Sequence, residues 1–189
     1  TPVSKAARKS KLPTMSLDEF LKWDDGTDTH YELYDGRPVA MNPPIAPHAR
    51  MMMVVGLALE RRLRDGCATY GGGGVGVLKP DDKMNYRVPD VMVSCTGSRR
   101  QWVESPRLIV EILSPSTKRV DAREKLAFYG DMETVEEIML VWVDKRRIDL
   151  WQREPDSWVV RSFIGSSSLP LRTTTEPVPL DEVFAPLGL

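Results

Sequence analysis

The chain has 189 residues, 41% of them hydrophobic and 28% charged, with a formal net charge of −1. Those proportions suit one globular domain able to bury a core, and they exclude a wholly disordered or membrane-embedded chain. A near-neutral balance provides no overall basic field, so charge neither supports nor excludes a polynucleotide substrate.

Residues 1–15 carry Lys5, Arg8, Lys9 and Lys11 and no acid, and read as a basic flexible tail ahead of a single domain over residues 16–189. The tail lacks the apolar stretch of a signal peptide, and no apolar run reaches the roughly 20 residues of a membrane helix. The two cysteines, Cys67 and Cys95, have no metal-ligand spacing. Free thiols in a reducing, cytoplasmic setting are expected.

Ser16 to Trp23 reads as a short helix, with Ser16 and Glu19 placed as a capping box. Tyr31 to Tyr34 and Arg37 to Met41 are β-prone runs around Asp35-Gly36, a hairpin signal because both turn positions need positive φ. After a Pro-rich break over Asn42–Pro47, a helix is predicted from His48 to Arg64. Met51, Val55, Leu59 and Leu63 form its buried stripe, and Asp65-Gly66 is its stop. Gly71 to Gly76 leads into a strand at Val77-Leu78, Lys79 to Asp82 makes a turn, and Tyr86 to Cys95 and Arg107 to Leu113 are strands. Asp121 to Tyr129 is helical, with Asp121 and Glu124 as a capping box and Gly130 as the stop. Ile138 to Val143, Ile148 to Trp151 and Trp158 to Ile164 form a meander, and Leu180 to Phe184 is a closing helix. The order implies a mixed α/β (α+β) fold, a mixed sheet with helices against it. Ile148, Leu150 and Trp151 look exposed and suggest a homodimer contact.

Two residues break the apolar pattern. Five of the seven residues from Arg107 to Leu113 are aliphatic without alternation, the mark of a central strand buried on both faces, yet Glu111 lies inside it. An unpaired buried carboxylate costs several kcal/mol or takes up a proton, so something must compensate it. Asp90 repeats the anomaly within Val88 to Val93, 21 positions earlier. If the two strands pair antiparallel, Asp90 and Glu111 meet on one sheet face. Two close carboxylates repel unless a cation lies between them, and Mg²⁺ or Mn²⁺ favours such an oxygen-rich setting. The structural alternative is a buried pair with Arg87, Arg107 or Lys125.

Other signals carry less. Gly71 to Gly76 satisfies G-x-G-x-x-G only through repeated glycine, and it precedes a strand where phosphate-binding loops precede a helix. His30 and His48 are the only histidines, too few for a zinc set or a triad, and His48 reads as a helix-start residue.

Pro89-Asp90 with Glu111-Ile-Leu113 resembles the PD-(D/E)XK nuclease motif, in which acids of adjacent strands bind the metal. Tyr31 to Gly36, Pro89 to Val91, Val110 to Thr117 and Glu124 to Tyr129 together resemble the Uma-two family of restriction-endonuclease-like proteins, over about Ser16 to Ala185. The resemblance implies a restriction-endonuclease-like sheet and a Mg²⁺- or Mn²⁺-dependent endonuclease acting on DNA. It also implies Asp90 and Glu111 as metal ligands, with Glu32 as a third ligand or a water-orienting acid. The motif's lysine falls at position 113, which is Leu; the resemblance points to Lys125 of the next helix as the replacement. Lys125 and Tyr129, one turn apart, share a helix face. The competing reading is a catalytically weak or inactive nucleic-acid-binding or oligomeric module on the same fold.

Overall fold

The computed structural model describes residues 14–71, 75–98, 100–113 and 119–188, with side chains described outside 119–122. Most of the basic tail, the middle of the Gly71–Gly76 loop and the Ser114–Thr117 stretch of the family motif lie outside the described residues. Helix α1 (Leu17–Phe20) carries the expected capping box between Ser16 and Glu19. Strands β1 (Tyr31–Tyr34) and β2 (Arg37–Ala40) form the expected hairpin, with Asp35 and Gly36 at φ +47° and +76°. Helix α2 (Ala46–Glu60) starts earlier than expected, because Pro47 in its first turn costs no helical hydrogen bond.

Next come β3 (Ala68–Gly71), unforeseen from the sequence, and β4 (Gly76–Val77). The strand expected over Tyr86 to Cys95 is shorter: β5 is Val91–Ser94, while Tyr86 and Arg87 only bridge to Leu33 and Val77. Strands β6 (Trp102–Val103) and β7 (Pro106–Leu113) follow. Helix α3 (Arg119–Gly130) begins before Asp121, so Asp121 is not its cap. Then come β8 (Glu137–Trp142), β9 (Arg147–Glu154), β10 (Ser157–Ile164), β11 (Ser168–Leu169), β12 (Val178–Pro179) and α4 (Leu180–Phe184).

The central sheet has the order β10-β9-β8-β7-β5-β3. Strands β7 and β8 are parallel and joined through α3; the other neighbours are antiparallel. This is the expected mixed sheet with helices. Side-chain alternation divides β7 between two cores. Leu108, Val110 and Ile112 pack with Met51, Val55 and Leu59 of α2 and with Phe184 of α4. Ile109 and Leu113 pack with Phe128 and Tyr129 of α3. Glu111 therefore falls on the α3 face. A third cluster ties Leu33 of the hairpin to Tyr86 and Val88.

Two expectations are corrected. Ile148 and Leu150 are fully buried in the chain's own core, because on the interior strand β9 they face α2 and α4, so they are not a dimer contact. The thiols are not free: β3 pairs Ala68 with Ser94, which sets Cys67 opposite Cys95, and a disulfide joins them with Cα atoms 3.7 Å apart. The composition argument for a reducing compartment loses its ground. No helix among the described residues is long and apolar enough to cross a membrane.

Candidate active site

Antiparallel pairing sets Val91 opposite Val110, so the next position along the ladder brings Asp90 to Glu111. Asp90 stands at a bend just before β5, with Pro89 behind it. Its carboxylate continues the ladder: Oδ2 accepts the Ile112 N–H at 2.7 Å, while Oδ1 lies 2.9 Å from His48 Nε2. The bond to Asp90 pushes the His48 pKa up, against the opposing pull of burial.

Glu111 is buried in β7. Burial is the main reason its pKa rises to about 7; the Lys125 ammonium opposes the rise and the Asp90 carboxylate adds to it. Its Oε1 accepts the Tyr129 hydroxyl proton at 2.7 Å and lies 3.4 Å from Lys125 Nζ. The parallel β7–α3–β8 crossover explains this convergence, since α3 lies on the face where Glu111 emerges and presents Lys125 and Tyr129 one turn apart. Burial disfavours the Lys125 charge, but Glu111 and Glu32 together outweigh it and raise its pKa. Tyr129 is raised well above its ordinary value, first by burial and then by Glu111.

Glu32 reaches the site from β1. Its Oε1 accepts the Val88 N–H at 2.9 Å and lies 3.1 Å from Lys125 Nζ, and its Oε2 accepts the Tyr34 hydroxyl at 3.0 Å. Both oxygens thus have partners, as both oxygens of Asp90 do, and Glu32 stands against Lys125 on the cavity that Asp90 and Glu111 line. Of the cations in the structural alternative, Lys125 does pair with Glu111. Arg87 stacks on Tyr34, 3.3 Å from its ring centroid, and Arg107 pairs with Glu136 at 2.6 Å.

Glu32, His48, Asp90, Glu111, Lys125 and Tyr129 all open on one cavity of about 1210 Å³. Its outer wall is the Pro-rich segment Met41–Ile45. The four residues expected from the sequence are therefore brought together. His48 and Tyr34 were missed as site residues. His48 sits 42 positions before Asp90, and no spacing rule links a first-turn histidine to a distant bend.

The donor set suits a hard divalent cation. Asp90 and Glu111 line the same cavity, and the hydrogen bond from Tyr129 and the ion pair with Lys125 both fall on Glu111 Oε1. Among the described residues no group of three or more His, Cys, Asp or Glu is arranged around a common point. Two acids alone match Mg²⁺, which keeps several waters and takes one or two carboxylates.

A family model described as "Uma2: Putative restriction endonuclease" matches residues 17–181. "Uncharacterized protein slr1290" of Synechocystis sp. is 26% identical over 181 residues, covering 94% of this chain and 95% of that protein. A second Synechocystis protein, "Uncharacterized protein sll1609", is 29% identical over 90 residues, 44% of this chain and 51% of its own length. A crystal structure described as "a putative nuclease belonging to DUF820" from Anabaena variabilis superposes with a TM-score of 0.72 at 16% identity. That match covers 92% of this chain and 99% of the other, a likeness of fold.

Proposed function

Because the chain belongs to the Uma2 restriction-endonuclease family, we propose that it is a metal-dependent endonuclease hydrolysing phosphodiester bonds of DNA. The observation that carries this reading is the meeting of Asp90 and Glu111 across β5 and β7, with the Lys125 ammonium 3.4 Å from Glu111 on the same cavity. Mg²⁺ or Mn²⁺ between the two acids would polarise the phosphate and lower the pKa of an attacking water.

The chain's own residues do the rest. Lys125, kept charged by Glu32 and Glu111, offsets the negative charge that develops on the phosphate as the bond to water forms. Glu32 fixes the Lys125 head, held in turn by Val88 N–H and Tyr34. Tyr129 holds Glu111 by donating its hydroxyl proton to Oε1. Leu113, at the motif's lysine position, is buried against α3, and Lys125 from the helix takes over the charge. A homodimer belongs to the proposal as well. It is supported by the sheet's edge strand β10, which exposes Val160 and Ile164, and concentration-dependent light scattering on wild type and Val160→Lys tests it.

The activity test is a mixed nucleic-acid panel with Mg²⁺ or Mn²⁺, comparing wild type with Asp90→Ala. Cleavage confined to wild type supports the reading, whereas equal cleavage by both proteins means contamination and sinks it. A second reading, a non-hydrolytic nucleic-acid-binding module, is favoured by the engagement of Lys125 with two carboxylates at once. Binding that survives Glu111→Gln, with no turnover under either metal, selects it.

A further inference from the structure

The backbone of Asp90 does not fix its side chain. The residue lies outside the β5 ladder, and Pro89 before it has no N–H to give. A carboxylate at such a bend is free to rotate about its terminal torsions unless donors hold it. Two donors do, from different layers of the fold: Ile112 N–H on Oδ2 from the central strand, and His48 Nε2 on Oδ1 from the first turn of α2. Since a carboxylate can only accept, the His48 proton in that contact is on Nε2.

We propose that His48 is a positioning residue for the metal ligand Asp90, holding its carboxylate turned toward Glu111; this rests on the reading of Asp90 and Glu111 as a metal pair. The bland alternative is that His48 merely tethers α2 to the sheet. That tether is redundant, because Met51 and Val55 of α2 are wholly buried and Ala58 and Leu59 nearly so. The ring lies in the cavity wall, with its side chain 22% exposed and that of Asp90 20%. A partner that orients a metal-bound carboxylate typically changes metal affinity by about 10- to 100-fold when removed.

The experiment is a Mn²⁺ titration read by thermal shift and by Mn²⁺ electron paramagnetic resonance, without substrate, on wild type, His48→Ala and His48→Gln. The glutamine amide can still donate to Asp90 Oδ1. The expected result is a melting temperature without metal close to wild type for all three, a 10- to 100-fold weaker Mn²⁺ affinity for His48→Ala, and recovery of most of it in His48→Gln. Wild-type Mn²⁺ affinity in His48→Ala overturns the positioning role and leaves the metal site standing. A His48→Ala protein that loses stability without metal yet binds Mn²⁺ normally selects the tether. If His48→Ala does not fold, His48→Gln and His48→Asn decide: the same affinity in both, although only the longer amide spans the gap, overturns the proposal. A wild type with no Mn²⁺ response overturns the metal reading itself, and this one with it.

Discussion

Replacing Glu111 by glutamine keeps the side chain's size and its ability to accept the Tyr129 proton while removing the ionisable oxygen. The consequence for stability follows from where Glu111 titrates. Its pKa in the folded chain is about 7 against an ordinary 4.5. Below pH 4.5 both folded and unfolded chains hold the proton. Between pH 4.5 and about 7 the unfolded chain releases it and the folded chain retains it, so stability falls as pH rises through that window. At about 1.4 kcal/mol per pH unit, the loss is on the order of 3 kcal/mol and is complete above pH 7. Glutamine has no such loss, and Lys125 keeps Glu32 at 3.1 Å.

Urea denaturation followed by tryptophan fluorescence, with EDTA present, measures this at pH 4.5, 6 and 8. The stability difference between Glu111→Gln and wild type should move by about 3 kcal/mol in the variant's favour from pH 4.5 to 8, roughly 6–12 °C in melting temperature for a chain of this size. Adding Mn²⁺ at pH 8 should restore wild type only. Curves that stay parallel across the range, or a wild type that gains on the variant as pH rises, would refute the reasoning and mark Glu111 as half of an ordinary salt bridge.

Lys125→Met leaves Glu32 and Glu111 without their shared cation. A cost of about 3 kcal/mol is expected at pH 8 and a smaller one at pH 5, where Glu111 is protonated; equal urea midpoint shifts at the two pH values would count against it. Gly71→Ala puts a methyl 2.5 Å from the Asp90 carbonyl oxygen, so a loss of about 1–3 kcal/mol together with a weaker Mn²⁺ thermal shift is expected. An unchanged melting temperature would show that the backbone yields there at no cost. Reducing the Cys67–Cys95 disulfide, which spans 28 positions, should lower stability by about 3.5 kcal/mol on the loop-entropy estimate. Identical denaturation midpoints with and without dithiothreitol would argue that the bridge is absent in solution.

The hairpin, α1 and the closing helix are legible in the sequence because local chemistry decides them: a capping box, an Asp-Gly turn, a short apolar stripe. The anomalous acids are legible for a different reason, since a carboxylate in a run of aliphatics is costly wherever the strand lies. That rule has a false positive in this chain. Glu137 opens the apolar strand β8 and is fully buried, yet Gln152 Nε2 and the Arg172 N–H satisfy it, and it does not line the cavity that its neighbour Ile138 lines. What separates Glu111 from Glu137 is which of them lines the cavity, and with which partners, and that is tertiary. For the same reason the sequence shows His48 only as a helix start and Tyr34 only as part of a hairpin, and it gives no sign of β3, whose residues are ordinary and become a strand only by pairing with β5. The cysteines misled because composition speaks of compartments and not of which residues a ladder sets face to face.

The β7–α3–β8 crossover also decides how the site comes into being. A lysine carried on the acid's own strand would be in place as soon as that strand joined the sheet. Here the acids come from the sheet, the ammonium from a helix laid over it, and the brace for that ammonium from a hairpin 93 positions earlier in the chain, as Lys125 and Glu32 are placed. The centre is complete only when three pieces distant in the chain have closed on one another. Its integrity is thus a gauge of tertiary closure: loosening the hairpin alone would leave sheet and helix standing and still disarm the centre.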